Sequence, residues 1–363
     1  MIRVESLDLA TLSDADVRRW SDLATQAGAP NPFYEPGFIL PTVTQRPSRP
    51  ATLLVAAGET GDWLGAMPLE RHWSWRRLVA PTATWSDPLC LLEAPLVVAG
   101  REAEVVQALL AAARRRVGLV AFRRVPRDGA LGEALTAACD ALGAKPVVWD
   151  QFERAALERR PTDDYIETAA TGKRRGEVRR RARALAAELG GEVTVVDRAG
   201  DPTAVEEFLT LEAAGWKGER GTALATSSAS GFMSEMCRAF AMEGRLQLLA
   251  LEAGGHTAAM QCNLIAGNSV FGFKKTYDES LARFGPGVQL VVEAASAFHA
   301  RTDLMHADSC AEPDSETVNR FWPGRRRLAT LLVPGEGAVG SAARAEAALA
   351  ANARQRIRER RRG

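Results

Sequence analysis

Nothing in this chain supports a disulfide framework or a structural metal. The five cysteines (Cys90, Cys139, Cys237, Cys262 and Cys310) stand far apart with no Cys-x-x-Cys pair, and four scattered histidines show no ligand spacing. Reduced thiols and no metal are expected. Long apolar runs are missing as well. No window reaches the ~18 apolar residues of a membrane span, and MIRVESLDLATLSD at the amino terminus is acidic where a signal peptide needs an apolar stretch. A soluble, cytoplasmic protein is expected. No charge dominates either: 46 Lys and Arg face 45 Asp and Glu. A global field directed at nucleic acid or membrane is thereby excluded, and DNA is not an expected partner.

The charge is uneven, with basic residues bunched at 173–183 and 354–362. At 363 residues the chain suits two domains of about 150 residues each. Residues 14–27 read as a helix capped by Ser13, with Val17, Trp20 and Leu23 inward. NPFYEPGFILP, punctuated by three prolines, reads as an irregular docking segment. ATLLVAA and DWLGAMPLE flank a Gly58–Gly61 hairpin turn, and HWSWRRLVA offers a further strand. Helices at 101–116 and 130–142 then alternate with strands VGLVAFRRV and KPVVWDQFE.

The second half repeats this order of elements. A basic helix, GKRRGEVRRRARALAAELGG, is followed by strand EVTVVD, helices 202–214 and 230–243, a three-strand meander from RLQLLALE to SVFGFKKTYD, helix 287–301, strand DLMHADS, helix 314–321 and strand RRLATLLV. We expect an α/β (α+β) fold of two tandem domains, 1–160 and 161–336, each a mixed central sheet flanked by helices. A basic tail, 337–363, follows. It is expected to make at most weak electrostatic contact with an anionic inner-membrane surface, since its apolar face is mostly alanine.

FGFKKTYDESLARFGPGV, residues 271–288, carries the clearest chemistry. A glycine-rich turn from strand to helix leaves the first helical N–H groups unpaired, where the helix dipole favours an anion. Gly285-Pro286-Gly287 supplies such a turn, Arg283 stands just before it, and the set suits a diphosphate. Asp308 lies at the carboxyl end of its strand, where open α/β sheets place ligands, and His306 is two residues earlier on the same face. A turn or capping role for Asp308 and a structural role for His306 are equally compatible with these positions.

KRRGEVRRRARAL, LEAAGWKGERGTAL, FGFKKTYDESLARFGPGVQL and DSCAEPDSETVNRFW resemble the acyl-CoA-binding fold of the GNAT N-acyltransferases. The similarity is to the CelD-like branch of polysaccharide biosynthesis, related to the Fem aminoacyl transferases of peptidoglycan. It covers about residues 165–335, while NPFYEP and TWSDPL fit the amino-terminal portion of such proteins less specifically. Two departures stand out. The usual Gln/Arg-x-x-Gly-x-Gly/Ala pattern has Ala282 in its first position with Arg283 one residue late, and the first half has no equivalent glycine turn. Only the second half is therefore expected to bind donor, with the first shaping the acceptor side.

The resemblance implies direct transfer from acyl-CoA to a primary amine without a covalent enzyme intermediate. Phe273, Lys274 and Lys275 on the strand, with Arg283, Gly285, Gly287 and Val288 at the turn, form the expected donor set. Asp308, His306, Tyr277 and Glu212 are the implied catalytic candidates, Tyr277 as proton donor to the thiolate; Trp216 and Lys217 wall the acceptor pocket. Cys310 has no paired histidine and is not expected to act as a nucleophile. Candidate acceptors are an amino sugar of exopolysaccharide or a sphingoid long-chain base, the latter making the protein a bacterial ceramide synthase. Two alternatives stay open: a Fem-like aminoacyl-tRNA-dependent transferase, and a catalytically silent nucleotide-binding regulator of envelope polysaccharide synthesis.

Overall fold

The computed structural model describes residues 2–45, 50–72, 82–85, 87–115, 117–215, 220–221, 224 and 229–362. The chain divides into two compact units, Met1–Phe152 with Arg327–Gly363, and Glu153–Arg326.

The first unit opens with strand β1 (Arg3–Asp8) and helix α1 (Asp14–Gln26). Ser13 starts α1 through a capping box: its hydroxyl accepts the Asp16 N–H at 3.2 Å, and the Asp16 carboxylate accepts the Ser13 N–H at 3.3 Å. Trp20 and Leu23 are buried as the periodicity predicts, while Val17 is half-buried. The proline-punctuated segment is not irregular throughout, because it contains helix α2 (Pro36–Thr44). Pro36 suits the first turn, and full burial of Phe38 and Ile39 outweighs the N–H missing at Pro41. Strands β2 (Ala51–Ala57) and β3 (Trp63–His72) form the expected hairpin. Of the further strand expected in HWSWRRLVA, residues 73–80 lie outside the described residues. Strands β4 (Thr82–Thr84) and β5 (Leu96–Val97), helix α3 (Glu102–Arg114), strand β6 (Leu119–Pro126), helix α4 (Gly129–Ala141) and strand β7 (Val147–Glu158) follow.

The second unit takes up the last residues of β7. It adds helices α5 (Tyr165–Ala169) and α6 (Gly172–Leu189), strand β8 (Thr194–Asp197), and helices α7 (Ala204–Ala214) and α8 (Ala229–Met242). The meander β9 (Leu246–Ala253), β10 (His256–Ala266) and β11 (Ser269–Tyr277) leads into helix α9 (Pro286–Ala300), strand β12 (His306–Asp308) and the short helix α10 (Glu316–Asn319). Strand β13 (Gly324–Pro334) then carries the chain back to the first unit, where α11 (Gly337–Arg362) ends it.

Both units have the expected mixed sheet flanked by helices. In the first, the strands run β1-β2-β3-β4-β6-β13 with β5 beside β3, and only β4 and β6 are parallel. In the second the order is β7-β12-β11-β10-β9-β8, and only β11 and β12 are parallel. Tyr165, Leu185, Leu290, Phe298 and Trp322 cover this second sheet. Helix α6 contributes a single buried residue, Leu185, so its arginines stay at or near the surface. The carboxy-terminal basic segment is helical from Gly337. It docks Ala343 and Ala347 against Leu119, Val147 and Leu332 of its own unit, and Arg354 pairs with Asp150 at 3.3 Å. Among the described residues no helix is long and apolar enough to cross a membrane.

Candidate active site

The second sheet has an opening built into its hydrogen bonding. Strands β11 and β12 pair over three rungs only, the last being Phe271 with Asp308. Beyond that rung β11 runs on to Tyr277 while β12 turns away, and a cleft of about 190 Å³ opens between them. Gly272 sits at the point of divergence, where a Cβ would stand 2.6 Å from the Ser309 carbonyl oxygen. Only glycine lets the strands stay this close before they part. On its other side β11 carries a bulge: Cys262 pairs with Lys274 and Asn263 with Gly272, leaving Phe273 as the extra residue. A bulge interrupts the ladder and re-aims the local backbone, here along the wall of the cleft.

At the far end of β11 the chain enters α9 through the glycine turn. Gly285 is left-handed at φ 63°, a conformation that favours glycine, and Pro286 takes the first helical position. The Val288 and Gln289 N–H groups both bond to the Gly285 oxygen, at 3.0 and 3.1 Å. Pro286 has no N–H, so Gly287 presents the first-turn N–H available to a ligand. Lys275, which also lines the cleft, donates to the Gly287 carbonyl at 3.4 Å. The guanidinium at the turn belongs to Arg181 of α6: a Cβ on Gly285 would lie 3.1 Å from its Nη1. Arg283, expected in that role, instead pairs with Glu188 at 2.6 Å and lies over the Phe284 ring at 4.5 Å. Val288, like Tyr277, is half-buried against the core. Phe273 is buried edge-on to Phe232, with ring centroids 6.3 Å apart, and Lys274 lies 6.0 Å from its ring.

The root of the cleft is clamped by an ion triad that sequence reasoning missed. Arg154 of β7 is 1% exposed and grips Asp308 through Nε at 2.6 Å and Nη2 at 2.7 Å. Arg326 adds Nη1 at 2.7 Å, and the Cys310 N–H donates to Oδ1 at 3.0 Å. Burial pushes the Asp308 carboxyl upward, but the Arg154 and Arg326 charges outweigh it and hold the group at about 2. A carboxylate this weakly basic and this fully bonded is a poor proton acceptor at neutral pH, and of the two roles its position allowed, the ion triad favours the structural one. It anchors the end of β12. An arginine at an inward position of FERAALE was the available signal, but its partner is 154 residues away.

The other candidates separate in a similar way. His306 is exposed at the start of β12, although Asp308 on the same strand is buried. Its side chain makes no hydrogen bond to the described residues, so the structure does not join the two into a relay. Glu212 is 2% exposed and accepts the Leu224 N–H at 2.9 Å, tying Leu224 to α7. Tyr277 turns its ring under the glycine turn, where a Cβ on Gly287 would meet Cδ1 at 3.4 Å. Trp216 and Lys217 lie outside the described residues. Cys310 lines the cleft at φ 49°, and burial pushes its thiol far above the usual range, which leaves it un-ionised and unfit as a nucleophile.

In the first unit, NPFYEP and the TWSDPL region serve cohesion. Asn31 donates to the Leu92 and Ala94 carbonyls at 3.1 and 2.8 Å, Trp20 donates to the Tyr34 carbonyl at 3.0 Å, and buried Glu93 accepts from Arg123 at 2.6 Å.

Residues 172–313 match the family described as an acetyltransferase (GNAT) domain, a span that contains β11, the glycine turn, α9 and β12. Among solved structures the chain is similar to FemX, at 12% identity and a TM-score of 0.60, covering 91% of this chain and 96% of that one. It is also similar to the C-terminal domain of a putative lysylphosphatidylglycerol synthetase from Agrobacterium fabrum, at 14% identity and a TM-score of 0.54, covering 91% and 94%. A conserved protein of unknown function from Bacteroides thetaiotaomicron shares the fold at 10% identity and a TM-score of 0.54, covering 93% and 100%. No curated protein matches this sequence.

Proposed function

We propose that this protein, a GNAT-superfamily acyltransferase with the fold of the Fem transferases, moves an acyl group from acyl-CoA to a primary amine of a cell-envelope precursor. The observation that carries the reading is the cleft that begins at Gly272 and reaches the glycine turn through Lys275. A pantetheine arm can lie along the exposed edge of β11. The diphosphate then falls at the Gly287 N–H, between Arg181 and Lys275, where the helix dipole and two cations favour it. The bulged backbone around Phe273 supplies N–H groups for the thioester carbonyl.

The acceptor is an amino sugar or a sphingoid base. Both offer a primary amine, and FemX and the lysylphosphatidylglycerol synthetase among the structural neighbours support an envelope setting. No described side chain lining the cleft is a carboxylate or imidazole, so its share of the work is orientation and charge stabilisation. A second reading, with aminoacyl-tRNA as donor, is favoured by the arginines that α6 leaves at its surface. Peripheral attachment to an anionic membrane through α11 would bring the protein to a lipid-linked acceptor.

Native mass spectrometry of the purified protein, followed by thiol-release assays across acyl lengths and amine panels, tests the proposal. Retained CoA species and amine-dependent thiol release are expected. Absence of both, or transfer from charged tRNA alone, would overturn it.

A further inference from the structure

A relay of buried amides leads from the core of the second unit to its cleft. Gln261 and Asn263 share one face of β10, the face whose Ala259 and Ile265 pack in the core with Leu290 and Val291 of α9. Gln261 donates through Nε2 to Asn263 Oδ1 at 2.8 Å. Asn263 in turn donates through Nδ2 to Oε1 of Gln247, its direct partner across the ladder on β9, also at 2.8 Å. Asn263 is 3% and Gln247 5% exposed. Amides taken this far from water are costly unless they satisfy one another, and once joined they fix one another's orientation.

Gln261, at the outer end of the relay, is half-buried and lines the cleft. It pairs across the ladder with Lys275, which places it on the stretch between the Phe273 bulge and the glycine turn. With Nε2 taken up by Asn263, Oε1 is the atom left over, and it makes no hydrogen bond among the described residues. The other polar side chains of the described lining are Lys274, Lys275, Ser309, Cys310 and Ser315. The two lysines can only donate, and the Trp322 indole N–H is already bonded to the Val291 carbonyl at 3.2 Å. Gln261 is the lining side chain that offers an oriented carbonyl oxygen.

We infer that Gln261 binds the donor by accepting an amide N–H of the pantetheine arm, and that Asn263 and Gln247 are positioning residues that hold its oxygen outward; the inference rests on the donor reading of this cleft. An arm that runs from a diphosphate at Gly287 toward Gly272 passes Lys275 and therefore Gln261. Its amide N–H groups lose water against the apolar wall of Val291, Val318 and Trp322, and an unpaired N–H there is costly. An untethered glutamine would present nitrogen as readily as oxygen, and the relay removes that choice.

Calorimetric titration of the full chain with CoA, and with 3′-phosphoadenosine 5′-diphosphate, which has the diphosphate without the arm, tests the inference. Gln261→Met keeps the reach of the side chain and removes its oxygen. It is expected to weaken CoA about fivefold, the loss of one neutral hydrogen bond, and to leave the nucleotide unchanged. Asn263→Leu should weaken CoA by as much, and the double variant no further, because the two residues act as one unit. Asn263→Asp, whose carboxylate accepts from Gln261 Nε2 and so keeps the oxygen outward, should bind CoA as the wild type does. Melting curves check that each variant is folded; should a change at buried Asn263 unfold the chain, Gln261→Met at the half-buried end decides alone. A loss of CoA affinity under threefold in Gln261→Met, or an equal loss for CoA and the nucleotide, would overturn the inference and leave the donor reading standing. A wild-type chain that binds no CoA would overturn both.

Discussion

Replacing Asp308 with Asn separates an anchoring carboxylate from a reacting one. Asn keeps the shape and the oxygen that accepts the Cys310 N–H, and removes only the charge shared by Arg154 and Arg326. The two arginines then fare differently. The Arg326 side chain is 26% exposed and can turn to water, whereas that of Arg154 is 2% exposed and cannot. Stranding one buried guanidinium costs about 3–5 kcal/mol, which lowers the melting temperature of this unit by roughly 10 °C. Arg326→Ala, which leaves the Arg154 pair intact, should cost about 1 kcal/mol by comparison.

The effect has a defined pH signature. The Asp308 carboxyl is lowered from 3.8 to about 2 in the folded state. A depressed acid stabilises the fold above its unfolded value and loses that contribution as the pH falls through its folded value. The gap between the wild type and Asp308→Asn should therefore be full above about pH 4 and narrow by roughly 2 kcal/mol toward pH 2. Denaturant titrations of both proteins from pH 2 to 7 measure it. A second change, Arg154→Met, should restore much of the stability lost in Asp308→Asn, because it removes the stranded charge. The reasoning fails if Asp308→Asn lies within about 1 kcal/mol of the wild type at pH 7, or if a fully folded Asp308→Asn loses turnover that a supplied base restores.

Three further outcomes follow from the same geometry. Gly272→Ala places a Cβ 2.6 Å from the Ser309 oxygen and should force the strands apart at the root of the cleft, reducing thiol release at least tenfold with little change in far-ultraviolet dichroism. Cys310→Ala should keep turnover within about threefold, since a thiol raised by burial supplies no thiolate; complete loss with CoA binding intact would restore a covalent route. Arg181→Ala should weaken CoA by about tenfold, the loss of one charge-assisted phosphate contact, whereas Arg283→Ala should change it less than twofold because that guanidinium is engaged by Glu188. Equilibrium dialysis with labelled CoA ranks the two.

Elements of both units were legible because their signals are local. The turn at Gly58–Gly61, the Gly190 that closes α6 and the Gly285-Pro286-Gly287 entry to α9 are punctuation read within a few residues. The position of Asp308 at the end of its strand was legible for the same reason. Its role was not, because a carboxylate is a base or an anchor according to what faces it, and the facing guanidiniums come from 154 and 18 residues away. Proximity along the chain was misleading at the glycine turn as well. Arg283 is the nearest arginine in sequence, yet Arg181 is the one that arrives, on a helix whose rotation is fixed by the burial of Leu185.

The clamp also explains why a charged anchor is suited to this place. The last rung between β11 and β12 is the root of the cleft, and any shear there would change the distance between the β11 edge and Ser309. An apolar contact tolerates sliding, whereas a forked carboxylate–guanidinium pair holds both direction and distance. Asp308 is bonded from β7, from the start of β13 and from the Cys310 N–H, so the end of β12 is fixed from three directions. Strand β11 meanwhile remains open on its cleft side beyond Phe271. The rigidity at the root of the cleft lies in the Arg154–Asp308–Arg326 triad, and β11 contributes backbone to the wall. Asp308, the carboxylate at the end of β12, is accordingly an anchor, while the cleft itself is marked by a glycine and a bulge.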